Sequence, residues 1–149
     1  MRGRYHGFTL AETLVVLVII GLMLAVVPPM LVRGIPSLQL KNAVRDMASG
    51  LRLARGEALR RGEPAVLEID MEARLLRVPA AGKKRVIPDT VSLEVTTAAD
   101  EIEDDQVSSF RFFPDGSATG GNILLSSGDL GFRVTVDWLT GRIHVADEG

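Results

Sequence analysis

A long apolar stretch near the N-terminus limits what this chain can fold into. Residues 8–32 contain a single charged side chain, Glu12. As a helix, these 25 residues would cross the hydrocarbon core of a bilayer, which needs about 20 apolar residues. Arg2 and Arg4 precede the stretch and only Arg33 follows it closely. The positive-inside bias therefore predicts a cytoplasmic N-terminus and an exported remainder.

Two simpler interpretations of the stretch leave features unexplained. A secretory signal would have a small-residue cleavage site after its apolar core. Here Pro28 and Pro29 follow the core, and the small residue, Gly7, precedes it. A plain membrane anchor leaves Glu12 unexplained, because a carboxylate in lipid is costly and by default marks a function with a partner. The cation that pairs with Glu12 would come from another chain or from a new N-terminus.

The residues around Glu12 carry a resemblance. The sequence GFTLAE at positions 7–12, followed by an apolar run, is similar to the type III signal of type IV pilins and type II secretion pseudopilins. The resemblance implies that a prepilin peptidase cuts between Gly7 and Phe8 and that Phe8 is then N-methylated. It also implies that Glu12 acts in filament assembly, where it could neutralise the new amine of a neighbouring subunit.

Prolines at 28, 29 and 36 and a glycine at 34 leave two alternatives open for the segment after the apolar core. Either the membrane segment ends there, or a longer helix is kinked or locally unwound. Residues 37–61 are predicted to be an amphipathic helix with Ser37 as its N-cap and Gly62 as its stop. Its apolar positions recur at intervals of four and three and are predicted to pack on a sheet: Leu40, Val44, Met47, Leu51, Ala54 and Ala58.

Beyond Pro64 the hydrophobic period changes to two, which indicates strands. The predicted strands are 65–71, 74–78, 86–97, 110–113, 123–126, 132–138 and 142–146, with a tight turn at Glu72 and Ala73. In the strand 132–138 the side chains of Phe132, Val134, Val136 and Trp138 are predicted to share one face. The predicted fold class is α+β, a long N-terminal helix packed on an antiparallel sheet or a small β-sandwich.

Two C-terminal segments extend the resemblance. The first contains Phe113, Pro114, Asp115 and Gly116, followed by glycines at 120 and 121, and the second contains Asp137, Thr140, Gly141 and Arg142. Together they resemble the signature of the H-type minor pseudopilins of type II secretion, and fimbrial-T-type minor pilins share much of it. We interpret these positions as fold motifs, with glycines serving turns and with Phe113 and Trp138 in the core.

Composition excludes several kinds of functional site. The chain has no cysteine and only two histidines, His6 and His144, so thiolate chemistry and a His-rich metal site are excluded. No nucleophile–base pair can be proposed, and we expect no catalytic residue, cofactor or metal, and no enzymatic activity. Residues 100–105 include five acids, but they lack the spacing of an EF-hand, so a solvated loop is favoured over a calcium site.

The resemblance implies a minor pseudopilin of type II secretion. Residues 1–7 would be a leader, 8–35 a transmembrane and assembly helix in the bacterial inner membrane, and 36–149 a periplasmic domain. Its partners would be prepilin peptidase, the major pseudopilin and other minor pseudopilins near the filament tip. The alternative is a type IV minor pilin of the fimbrial-T type, for pilus assembly or DNA uptake.

A nucleic-acid partner is not expected. DNA-binding minor pilins of the fimbrial-T type carry a Gly-Arg-x-Arg motif, whereas here Gly141 and Arg142 are followed by Ile143 and His144. The second arginine is missing, and the tail that follows, with Asp147 and Glu148, has the wrong sign for phosphate.

Overall fold

A computed structural model describes the backbone of residues 9–97 and 107–148, and the side chains of the same residues except 25–35. The chain divides into two compact units, Met1–Ile35 and Pro36–Gly149. The assignment of residues 1–7 to a leader, 8–35 to a membrane segment and 36–149 to a periplasmic domain stays a prediction.

A single α-helix, α1, spans Leu10–Arg61. It ends at Gly62, which has a φ of +69° and donates its N–H to the carbonyl of Ala58 at 3.0 Å, as a left-handed C-cap does. The backbone is helical through residues 28–36, so the longer helix is present and is not unwound there, while the end of the membrane segment stays a prediction. The predicted N-cap at Ser37 is also wrong, because this residue lies inside the helix and there is no helix start for its hydroxyl to cap.

Eight strands follow α1 in the described part of the chain and form two antiparallel sheets, in the orders β3-β2-β1-β5 and β4-β6-β7-β8. The strands of the first sheet are β1 (Ala65–Asp70), β2 (Leu75–Val78), β3 (Lys83–Val86) and β5 (Val107–Phe112). Those of the second are β4 (Ser92–Thr97), β6 (Gly121–Ser127), β7 (Leu130–Val136) and β8 (Ile143–Asp147). The predicted turn between β1 and β2 is present, and Asp70 Oδ1 accepts a hydrogen bond from the N–H of Ala73 at 2.7 Å.

The chain passes from the first sheet to the second between β3 and β4. The prediction of one strand over 86–97 is therefore wrong, because β3 ends at Val86 and β4 begins at Ser92. Pro88 lies in this connection, and the guanidinium of Arg74 holds it by donating to the carbonyls of Pro88 at 2.7 Å and Ile87 at 3.4 Å. These bonds satisfy backbone groups that a continuous strand would have paired in a sheet.

The hairpin between β7 and β8 differs from the predicted strand 132–138. The strand β7 ends at Val136, and the turn is closed by hydrogen bonds from Asp137 N to Arg142 O at 3.0 Å and from Gly141 N to Asp137 O at 2.8 Å. Trp138 is 65% exposed. Its prediction as a core residue is wrong, because inside–outside alternation stops where the chain leaves the sheet. Phe113, also predicted in the core, is half-buried and lies outside the buried core.

The core of the unit Pro36–Gly149 joins α1 to both sheets. All six apolar positions predicted for the helix stripe are buried. The largest fully buried side chains of the sheets come from β1, β5, β6 and β7: Leu67, Ile69, Phe110, Phe112, Ile123, Leu125 and Val134. Gly50 brings α1 close to β1, since a Cβ there would lie 3.0 Å from Leu67 Cδ1. The predicted α+β fold is confirmed.

Candidate functional site

The start of α1 places Glu12 in the first turn of the helix. Glu12 N donates to the carbonyl of Thr9 at 3.1 Å and to Thr9 Oγ1 at 3.3 Å, so Thr9 caps the helix. The sequence carries a signal for this cap, the Thr-x-x-Glu spacing of a capping box, which the predictions above do not use. Gly7 and Phe8, the predicted sites of cleavage and methylation, lie outside the described residues.

The N-terminal part of α1 presents apolar side chains on all its sides. Every described side chain from 9 to 24 is exposed, and the exposed fraction of its large hydrophobic residues runs from 46% at Val16 to 85% at Leu10. A helix that is apolar all round is stable when lipid or other protein covers it. The side chains of residues 25–35, also part of the predicted membrane segment, lie outside the described set.

Across the part of the chain that the structure describes, no helical segment combines the length and the apolarity needed to cross a membrane.

The two C-terminal signature segments meet in space. Gly116 and Gly141 both have positive φ angles, +90° and +59°, and both serve turns as expected. A Cβ on Gly141 would lie 2.4 Å from the carbonyl oxygen of Gly116. The two turns are therefore in close backbone contact, which only glycine at position 141 permits.

An aspartate organises each of these turns. Asp115 Oδ1 accepts from the hydroxyl of Ser117 at 2.6 Å and from its N–H at 2.9 Å. Asp137 Oδ1 accepts from the N–H and the hydroxyl of Thr140, both at 2.8 Å, and from the N–H of Leu139 at 3.1 Å. Because these donors stabilise the charged form, they lower the pKa of Asp115 and the pKa of Asp137 below the usual value, with Thr140 as the largest cause at Asp137.

Arg55 of α1 ties the helix to both turns. Its Nη2 donates to the carbonyl of Thr140 at 3.1 Å, and its Nε lies 3.0 Å from where a Cβ on Gly141 would be. Gly116 also lies next to Arg55, since a Cβ on this glycine would be 3.7 Å from Arg55 Nη2. This contact spans 85 residues of sequence. No local sequence pattern signals this contact.

The contacts at this end of the domain are those of structural turns. His144 lies exposed on β8 opposite Thr135. In the described ranges, no three histidine, aspartate or glutamate side chains come together as metal ligands. The acidic segment 100–105 lies outside the described residues, so its role as a solvated loop stays a prediction.

Comparisons with known proteins place these features in a family. The family model described as "Type II transport protein GspH" matches residues 43–141, which include Arg55 and both turns. The model of the prokaryotic N-terminal methylation motif matches residues 2–28. Type II secretion system protein H of Xanthomonas campestris pv. campestris is 31% identical over 144 residues, covering 97% of this chain and 85% of that protein.

Solved structures share the fold. The minor pseudopilin EpsH from the type 2 secretion system of Vibrio cholerae superposes with a TM-score of 0.56 and 16% identity, covering 74% of this chain and 98% of that one. The type IV minor pilin FimU of Pseudomonas aeruginosa gives 0.52 and 16%, covering 71% of this chain and 91% of FimU. With the family match over residues 43–141 and the relative that spans nearly the whole chain, this chain belongs to the GspH family, the H-type minor pseudopilins of type II secretion.

Proposed function

We propose that this chain is built into the periplasmic pseudopilus near its tip, where it joins the major pseudopilin to other minor pseudopilins during protein export. The observation that carries the proposal is the 31% identity to a type II secretion system protein H over 97% of the chain. The proposed role is one of assembly.

The N-terminal residues would act before and during assembly. Prepilin peptidase would cut between Gly7 and Phe8 and methylate Phe8, leaving a single-pass inner-membrane protein with its N-terminus at the cytoplasmic face and residues 36–149 in the periplasm. The match of residues 2–28 to the methylation motif supports this step. The exposed apolar surface of α1 supports insertion in lipid and packing against neighbouring subunits.

A role in a type IV pilus is the alternative. The similarity to FimU supports a shared fold, and at 16% identity it carries no preference between pilus and pseudopilus. The family model and the 31% identical relative both belong to type II secretion and favour the pseudopilus.

Deletion and complementation separate the two roles. We expect that an in-frame deletion in the native host leaves exported proteins in the periplasm and that the full chain restores their release. Pilus-dependent twitching and DNA uptake should be unchanged in the same strains. Normal export, combined with lost twitching or lost uptake, would show that the chain serves a pilus instead.

A further inference from the structure

A basic depression lies beside the contact between α1 and the hairpin β7–β8. It has a volume of about 270 Å³ and is lined by Arg52, Arg55, Gly141, Arg142, Ile143 and His144. Arg52 and Arg142 are exposed and Arg55 is half-buried. Three guanidiniums and an imidazole therefore converge on one open concavity of a chain whose net charge is −2.

The three arginines of this depression lack the acidic partners that other arginines have. Elsewhere in the described residues, six arginines lie within 4.0 Å of a carboxylate oxygen: Arg60, Arg61, Arg74, Arg77, Arg85 and Arg133. Within the same described set, no carboxylate is this close to Arg52, Arg55 or Arg142. Asp137, in the same hairpin turn, accepts three hydrogen bonds from that turn at Oδ1 and makes no ion pair with these arginines in the described structure.

The fold holds this positive charge in place. Arg55 is fixed by its bond to the carbonyl of Thr140, and Arg142 follows Gly141, which is wedged against Gly116 and Arg55. Arg55 Nε is buried and has no hydrogen-bond partner in the described structure. A buried donor without a partner is costly, and an anion bound to the same guanidinium would offset part of that cost.

The hairpin turn that carries Arg142 also exposes two large apolar side chains. Trp138 is 65% exposed and Leu139 is 63% exposed, and both belong to the turn that carries Gly141 and Arg142. Guanidiniums recognise carboxylates and phosphates alike. Exposed tryptophan and leucine in the same turn as Arg142 favour a peptide, which can bring apolar side chains together with its carboxylates.

We propose that this depression binds an acidic segment of a neighbouring pilin-like subunit, with carboxylates on Arg52, Arg55 and Arg142 and an apolar side chain against Trp138 and Leu139. The inference rests on the proposed role in a pseudopilus and adds the chemistry of one subunit contact to it. Glycine at 141 and the aspartate turn at 137 then serve to present Arg142 as well as to close the hairpin.

Peptide binding tests the chemistry directly. The full chain in a non-ionic detergent is titrated with a fluorescent peptide of six glutamates and one leucine, and binding is followed by anisotropy. We expect Arg52→Gln and Arg142→Gln each to weaken binding by up to about fivefold, the range for exposed charge pairs. Arg45→Gln is the matched control, since Arg45 is exposed on the same helix two turns away and does not line the depression.

Three results would contradict the proposal. The first is that the peptide does not bind, and the second is that Arg45→Gln weakens peptide binding as much as the other two substitutions do. The third is that a 12-base-pair DNA duplex binds more tightly than the peptide and that Arg142→Gln weakens this DNA binding. The last result would identify a nucleic-acid surface in place of a peptide site.

A second experiment in cells separates this proposal from the proposed function. A photoreactive side chain at position 139 should cross-link to an acidic segment of another pilin-like subunit, as identified by mass spectrometry of the linked peptide. The pair Arg52→Gln and Arg142→Gln should reduce that product severalfold, and Arg45→Gln should leave it unchanged. If deletion blocks export but the doubly substituted chain cross-links normally, the pseudopilin role stands and the docking site is wrong.

Discussion

Glu12 occupies the first turn of α1, where a carboxylate can serve the helix cap or a contact with another subunit. A glutamine keeps the hydrogen-bonding capacity of a capping box but carries no charge. A carboxylate without a partner in lipid costs about 2.5–3.5 kcal/mol on insertion scales, so pairing with a neighbour's amine would favour the assembled state. Only the charge-pairing role requires the carboxylate.

We expect Glu12→Ala and Glu12→Gln to reduce recovery of the major pseudopilin in pull-downs by a similar factor, while cleavage after Gly7 proceeds normally. Thr13→Ala is the matched control, since it removes a hydroxyl from the next residue and keeps the charge. Recovery is compared at equal membrane levels of each variant. If Glu12→Gln recovers as much major pseudopilin as the wild type, Glu12 serves the cap and not the subunit contact.

Gly141 and Gly128 both have a positive φ but differ in what surrounds them. A Cβ there would lie 2.4 Å from Gly116 O and 3.0 Å from Arg55 Nε, whereas one on Gly128, with a φ of +61°, would meet nothing within 4 Å. Gly128→Ala should therefore cost only the backbone term, about 1–2 kcal/mol. Gly141→Ala should cost clearly more, because the two turns must also separate.

Urea unfolding of the two glycine variants, followed by tryptophan fluorescence, measures this difference in the free energy of unfolding. Trp138 lies in the turn that Gly141→Ala would displace, so circular dichroism should be recorded as a second probe. Equal destabilisation by the two substitutions would mean that the contact between the turns contributes nothing to stability.

At the scale of elements, the β7–β8 hairpin depends on an ionised carboxylate. Because its hydrogen bonds lower the pKa of Asp137 in the folded state, the unfolded chain takes up the proton first as pH falls. The ionised carboxylate of Asp137 therefore contributes its full stabilisation of the folded state at pH values well above 3.8, the ordinary pKa of the group. This contribution to stability is lost as the pH falls through the lower pKa that Asp137 has in the folded state.

Asp137→Asn keeps a side-chain acceptor and removes the charge. We expect it to lower the free energy of unfolding at pH 7 and to match the wild type increasingly closely below about pH 4. Asp129→Asn is the control, since Asp129 is an exposed turn acid that accepts no hydrogen bond in the described structure. Urea unfolding at a series of pH values gives the comparison. A stability difference that persists unchanged at pH 3 would exclude the charge as its cause.

The elements also show what local sequence patterns can predict. The helix stripe from Leu40 to Ala58 follows from its spacing alone, because a buried helix face must recur at the helical period. The split between β3 and β4 has a local signal in Pro88, which cannot donate to a sheet ladder, and the prediction of one strand over 86–97 did not use it. The bonds from Arg74 that hold this connection come from a turn that is close in space but separate in sequence.

The candidate site, like the fold, was predictable from the sequence only where local patterns determine it. The glycine turns and the turn aspartates follow from local chemistry, since Asp and Gly are the residues that such turns require. The exposure of Trp138 could not be predicted in this way, because this residue lies two positions beyond the end of β7 and continues the alternation of that strand. The role of Arg55 depends on a contact across 85 residues, and such a contact leaves no periodic trace in the sequence.

At the scale of the whole molecule, every side chain of the described hydrophobic core lies between Leu40 and Val136. The unit Pro36–Gly149 therefore contains both the helical and the sheet side of that core. We expect a fragment of residues 36–149 to fold by itself in water and to unfold cooperatively, because nothing in its described core depends on the apolar N-terminal residues.

A shorter fragment provides the control for this last prediction. Starting at residue 46 removes Leu40, Ala43 and Val44, whose exposed fractions are 0%, 5% and 6%. The loss of one buried leucine side chain typically costs about 2–5 kcal/mol, and whole domains are stable by only about 5–15 kcal/mol. Fragment 46–149 should therefore be largely unfolded where 36–149 melts sharply, as measured by circular dichroism and calorimetry. If both fragments melted at the same temperature, the first helical turns after Pro36 would contribute nothing to the core, and burial of Leu40 and Val44 would not be what holds α1 on the sheets.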